Sequence, residues 1–134
     1  MWSDEGVWME PTNLAGLAEE MLADAYELVL SGWCQGASAR DEFGQPTEPS
    51  SAIARRWSAP GALARVWQRS SDPFGPAVEA FQAANLALAG VVHAVPQEWN
   101  DAEDRTQWQV LDAIALAAQE VSPAGAGILA ASDA

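Results

Sequence analysis

The sequence predicts a small all-α domain: four to five helices in a bundle-like arrangement, with one long loop after the first helix. Three observations point there. Apolar residues recur at three- and four-residue steps in several separate windows. Glycine and proline punctuate the stretches between those windows, which suits helices joined by short connections. The chain has 134 residues, the size of one domain. A domain of that size buries roughly two-thirds of the surface its unfolded chain exposes and needs neither disulfide nor metal to hold together.

Residues 1–11 show no period and read as an N-terminal arm. Its Trp2 and Trp8 are expected to fold back on the body, because an exposed indole leaves a large apolar surface in water. The helical domain is expected over 12–121. Its first helix spans 12–31, capped by Thr12 or Asn13 after Pro11, with Leu14, Leu17, Met21, Ala25 and Leu28 as its apolar stripe, broadened by Leu22, Tyr26 and Leu30. Gly32 ends it as a residue that adopts φ > 0 at little cost. Residues 33–50 form the long loop. Its DEFGQP centre is a turn signal, and the small residues around it allow a short hairpin of Ala37–Arg40 with Gln45–Glu48, although few of them are β-branched.

A short helix is expected near 51–57. A new one is opened by Ser58-Ala59-Pro60 and runs to 69, because proline is tolerated in a first turn and not deeper. The next spans 74–92, with Phe74, Val78, Phe81, Leu88 and Val92 near one face. Its almost wholly small or apolar run over 83–92 predicts the most buried element. Pro96 closes its exit. The last helix covers 105–121, with Thr106 and Gln109 at capping-box spacing and Val110, Leu111, Ile114, Ala117 and Val121 as its stripe. Residues 122–134 read as a flexible tail.

Nineteen acids stand against six arginines and no lysine, for a formal net charge of -13. Such a field repels phosphates, so direct nucleic-acid binding over a broad surface is not expected. Small molecules, cations and basic protein surfaces remain as partners. The acidity also serves solubility. A single cysteine cannot form an internal disulfide. The acidic start MWSDEGVWMEP has no signal-peptide pattern, and no apolar run approaches the roughly 20 residues a membrane span needs. A cytoplasmic protein without membrane contact is the expectation. No cofactor is called for, and oligomeric state stays open.

Four groupings bear on chemistry. Cys34, His93 and Asn100 follow the chain order of a thiol-protease set, in which a base activates the thiolate, and Gln35 adds an amide donor. Against this, a lone cysteine commonly packs as a small apolar residue. The row Glu20, Asp24 and Glu27 lies on one helix face, where Mg²⁺ would need further acids, Glu98 and Asp101 being the available ones. A solvated face is the plainer reading, and no metal site is assigned. Arg55, Arg56, Arg65 and Arg69 make residues 51–69 a +4 stretch beside a first helix of -4. This predicts side-by-side packing with crossing ion pairs; the alternative is an anion pocket gripped by guanidinium groups. Finally, there are seven tryptophans. If the loop after helix one meets Trp99-Asn100-Asp101, the two make a polar-aromatic site from Trp33, Gln35, Arg40, Trp57, Trp99, Asn100, Asp101 and Arg105.

The stretches Gly32-Trp33-Cys34-Gln35-Gly36-Ala37 and Trp99-Asn100-Asp101 with Arg105-Thr106, separated by Arg56-Trp57-Ser58-Ala59-Pro60-Gly61-Ala62-Leu63, carry a resemblance. Over roughly residues 14–120 the chain resembles a family of small proteins from actinobacteria and their phages that is known only as a domain of unknown function. The resemblance implies a helical domain and no particular activity. It further implies that threonine is common at position 34 and cysteine at position 58, so the thiol of Cys34 would not be a required nucleophile.

The expected function is that of a non-enzymatic binding or interaction protein, for an unidentified protein or small molecule, using the polar-aromatic cluster. One alternative is a small hydrolase or transferase working through Cys34 and His93, with Asn100 as the orienting group. Another is an acidic mimic that covers the basic surface of a DNA-binding partner.

Overall fold

The computed structural model describes residues 11–122. Trp2, Trp8 and the expected tail beyond Ser122 lie outside the described residues. The elements in chain order are α1 (Pro11–Ser31), β1 (Ala39–Arg40), β2 (Arg56–Trp57), α2 (Ala59–Gln68), α3 (Pro76–Val92), α4 (Pro96–Asn100) and α5 (Gln107–Val121). The fold is the helical domain that the apolar stripes predict, with one two-stranded antiparallel sheet inserted.

α1 is the central helix and packs against α2, α3 and α5. Being surrounded changes which of its residues are covered. Met21 and Ala25 of the expected stripe are buried, but Leu14, Leu17 and Leu28 are only half-buried. Leu22, which broadens the expected stripe, is fully buried, and so are Ala18 and Val29, which lay outside it. They meet Leu63 of α2, Leu88 of α3 and Ile114 of α5 in one core, where a fully buried aliphatic side chain contributes about 1.5–3 kcal/mol. α3 packs chiefly against α1 and α5, and its fully covered line is Ala80, Ala84 and Leu88. Leu86 is 74 % exposed, so the run over 83–92 is not the most buried element; Phe74 precedes the helix and is 89 % exposed.

The caps of the helices opened at Ser58 and Thr106 form as their spacing predicts, whereas Thr12 and Asn13, the expected caps of the first helix, lie inside α1. Ser58 Oγ accepts the Gly61 N–H at 3.0 Å at the start of α2. At α5, Thr106 Oγ1 accepts the Gln109 N–H at 3.3 Å while Gln109 Oε1 accepts the Thr106 N–H at 3.0 Å. Pro96 starts a short helix, α4, rather than merely ending α3. His93 closes α3 in the left-handed conformation, at φ 56°.

Gly32 does end α1, for a different reason from the one expected. The glycines with positive φ among the described residues are Gly36 and Gly44. At Gly32 a Cβ would collide with the Arg55 carbonyl oxygen, because the chain returning into β2 runs directly over this point. That return is also why no helix forms at 51–57. The backbone there is claimed by long-range bonds: Trp57 N–H donates to Gly32 O at 3.0 Å, Cys34 N–H to Trp57 O at 3.2 Å, and Arg55 N–H to Arg40 O at 2.8 Å.

The hairpin is likewise only partly as expected. Its turn closes, with Asp41 N–H donating to Gln45 O at 2.9 Å and Thr47 N–H to Ala39 O at 3.0 Å. Arg40 and Pro46 form a single bridge. The ladder partner of β1, however, is β2, with Ala39 opposite Trp57 and Arg40 opposite Arg56. Pro46 and Pro49 lack the N–H groups that would extend a ladder from 45–48.

Candidate functional site

The loop after α1 and the α4 segment meet, and Asn100 is where they join. Its side chain is wholly buried and all of its bonding capacity toward both segments is used. Trp33 Nε1–H donates to Asn100 Oδ1 at 2.9 Å, and Ala59 N–H donates to the same oxygen at 3.0 Å. Asn100 Nδ2 donates to Cys34 O at 3.1 Å and to Asp101 Oδ1 at 3.0 Å. One amide therefore ties the loop, the start of α2 and the end of α4.

Neighbouring groups extend the network. Gln35 Nε2 donates to the carbonyls of Asn100 (3.0 Å) and Ala102 (2.8 Å). Asp101 accepts the Gly36 N–H at 2.9 Å and two bonds from Gln97 Nε2 at 3.0 and 3.2 Å. Partial burial works to raise the Asp101 pKa, but the bonds from Gly36, Asn100 and Gln97 and the charge of Arg40 outweigh it and hold the carboxyl below its ordinary value. Arg40 reaches Gln35 O through Nε (3.1 Å) and Gly44 O through a terminal nitrogen (2.8 Å). Arg105 stacks 4.0 Å above the Trp99 ring and donates to Trp99 O at 2.9 Å. Of the eight residues expected to form a polar-aromatic site, the structure gathers Trp33, Gln35, Arg40, Asn100 and Asp101 into this network. Trp99 and Arg105 form a pair at its edge. Trp57 sits beside it, with its indole N–H on Pro49 O at 3.0 Å.

Cys34 belongs to the same knot. It is 7 % exposed, and its Sγ faces Ala37 O at 3.6 Å. Burial, partly offset by Arg40, pushes its thiol pKa up, opposite to what a thiolate nucleophile needs. Asn100 meets Cys34 through the backbone carbonyl and not through sulfur. His93 is exposed at the end of α3 and makes no side-chain hydrogen bond among the described residues. The structure thus brings Asn100 to Cys34 and leaves His93 unjoined to either.

The arginines do not cross-pair with α1. Among the described residues no ion pair closes. Arg65 donates to Pro49 O (2.8 Å) and Ser51 O (3.0 Å), Arg69 to Ser50 O (2.9 Å), and Arg55 to Ala52 O and Ala54 O (both 2.9 Å). The reason is an unmet backbone requirement. The irregular connection between β1 and β2 leaves carbonyls without ladder partners, and a guanidinium carries five donors in a fixed fork. Arg65 also stacks 4.8 Å from the Trp57 ring. Burial first, then the like charges of Arg69 and Arg55, lowers its pKa.

Between α1 and α2, bordered by the first turn of α3, lies a groove of about 810 Å³ that the sequence reading missed. Leu17, Met21, Leu28, Val66 and Ala77 line its apolar part. Glu20, Asp24, Glu27 and Asp72 stand on its rim, with Arg65 and Arg69 on the α2 side. A signal was present in the sequence: the apolar positions Leu17, Met21 and Leu28 run alongside the acid row Glu20, Asp24 and Glu27 on the same helix. Among the described residues no group of three His, Cys, Asp or Glu side chains is placed to hold a metal, so the acid row does not gather with Glu98 and Asp101. No helix of the described residues is long and apolar enough to cross a membrane.

Residues 15–120 match the family model described as a family of unknown function, DUF6197. The chain belongs to this family. The DUF6197 match runs from the first turns of α1 to the end of α5, so the Asn100 knot and the α1–α2 groove both lie within it. No curated protein and no solved structure matches the chain.

Proposed function

We propose that this protein is a non-enzymatic binding protein that receives its ligand or partner in the α1–α2 groove, with the Asn100 knot acting as the rigid frame. The observation that carries this reading is the groove itself. It pairs an apolar floor with a rim of carboxylates that have no cationic partner among the described residues, and its volume falls within the range of about 300–1,000 Å³ usual for ligand sites. The knot is a poorer candidate surface, because its polar atoms are spent on one another. Its bonds are those of a brace between segments 65–67 residues apart. The thiol reading gains no support from a buried sulfur with a raised pKa.

The test uses N-phenyl-1-naphthylamine, an uncharged apolar probe whose fluorescence rises on binding. The expected result is saturable binding to the intact chain that falls at least about tenfold in Ala77→Trp, which fills the groove. Phe43→Ala, at a site 80 % exposed and outside the groove, should leave it unchanged. Equal binding to Ala77→Trp and the parent, with that variant folded by circular dichroism, would sink the proposal.

A further inference from the structure

Resting on the reading of the groove as the binding site, we infer that its occupant is a basic amphipathic helix of a partner protein. The groove runs along α1 from Leu17 to Ser31, a rise of about 21 Å, or four helical turns. A groove of that length suits a helix laying one face along others. The floor supplies the apolar contact. The rim supplies direction and sign. Glu20, Asp24 and Glu27 are exposed and follow steps of four and three, spread over about 10 Å of helix. A partner helix has the same rise per residue, so basic side chains at the same steps meet these carboxylates in register, while its leucine-like face turns into the floor.

The charge balance favours this occupant over the others. Asp72 adds a fourth carboxylate to the rim, and none of the four is paired with a guanidinium among the described residues. Arg65 and Arg69 line the same groove, but both guanidinium groups are already anchored to the carbonyls of residues 49–51 and neither pairs with the acid row. A second copy of this chain brings a net charge of -13. Residues 1–10 and 123–134 contain no arginine or lysine and carry Asp4, Glu5, Glu10 and Asp133, so these segments match the sign of the rim and do not complement it. A helix carried by another protein is the source of complementary charge and apolar surface together.

The experiment titrates the full chain with three synthetic peptides of about 14 residues, matched to the groove's length. Each has leucine on one helical face; the other face is lysine, glutamine or glutamate. Binding is read by calorimetry and by methyl chemical shifts of Leu17, Met21, Leu28, Val66 and Ala77. The lysine peptide should bind one-to-one, shift these methyls, and exceed the glutamine peptide by about tenfold at low salt. The variant Glu20→Gln/Asp24→Asn/Glu27→Gln should abolish that preference. Glu79→Gln/Glu98→Gln/Glu103→Gln, which removes three exposed acids elsewhere, should preserve it.

Equal loss in both variants would mean diffuse attraction to an acidic protein and would overturn the inference. So would shifts confined to methyls outside the groove, or concentration-dependent groove shifts without peptide, which would make a second copy the occupant. If the glutamine or glutamate peptide binds the groove as well as the lysine peptide does, the basic partner is wrong while the binding groove stands. If no peptide perturbs the groove and the uncharged naphthylamine probe also fails there, both readings fall.

Discussion

Replacing Asn100 by alanine removes four hydrogen bonds that meet at one buried amide. The consequences are unequal. Asp101 Oδ1 keeps the Gly36 N–H and Gln97 Nε2. Trp33 Nε1, Ala59 N–H and Cys34 O are left without a partner. A buried polar group without a partner costs about 1–3 kcal/mol. The Trp33 indole is half-buried and recovers part of this from water, which puts the total at about 3–5 kcal/mol. That is a large share of the roughly 5–15 kcal/mol by which a domain is stable. Urea unfolding followed by tryptophan fluorescence reads the change directly, since Trp33 sits in the knot. The midpoint should fall with little change in slope. Asn100→Asp separates loss of bonds from loss of volume. It keeps the shape and the acceptor, loses both donated bonds, and sets a second carboxylate against Asp101. Its stability should recover as pH falls, because two adjacent carboxylates cannot both stay ionised and one pKa rises. An Asn100→Ala protein within about 1 kcal/mol of the parent would refute the claim that this amide joins the loop to the helices.

Three further outcomes are expected. Gly61→Ala places a Cβ against the Ser38 carbonyl, where the β1 segment crosses the start of α2, and should lose about 1–3 kcal/mol. Gly16→Ala and Gly90→Ala have open space around them and should gain about 0.5–1 kcal/mol; melting temperatures moving the same way for all three would contradict the packing described. The Asp101 carboxyl is held below its ordinary pKa, so its stabilisation is complete above the unfolded value near pH 4 and disappears as pH drops through the depressed folded value. Asp101→Asn should remove that part of the acid dependence in a pH series of urea midpoints. For Cys34 the folded pKa is raised, so its contribution is full below about pH 8.5 and declines as pH rises through the folded value. A disulfide reagent should label the native thiol far more slowly than the urea-unfolded one, and equal rates would place the sulfur outside the core.

How much could be read beforehand depends on the range of each interaction. The stripe of α5 and the caps of α2 and α5 involve residues within a few positions of one another, and all of them form as the spacing implies. The α1 stripe was displaced because periodicity shows that a helix has an apolar face without showing how many neighbours will cover it. Expecting ion pairs between α1 and the arginine-rich stretch followed net charge. The guanidinium groups instead answered a demand the sequence does not display, the carbonyls of residues 49–54 that no strand ladder pairs. The polar-aromatic residues do come together around Asn100. Whether their polar atoms face water or each other could not be told from residue types.

By itself the sequence determined the helical class, where α2 and α5 begin, and a surface field set by 19 acids against six arginines. These follow from local backbone energetics and from summed charge, and neither requires knowing which distant segments meet. Tertiary structure alone decided that β1 pairs with β2 rather than with the strand just past its turn, that Asn100 is a brace, and that an acid-rimmed groove opens between α1 and α2. Each of these joins parts of the chain separated by many residues, and such contacts are chosen by whether the whole set of buried donors and acceptors can be satisfied at once.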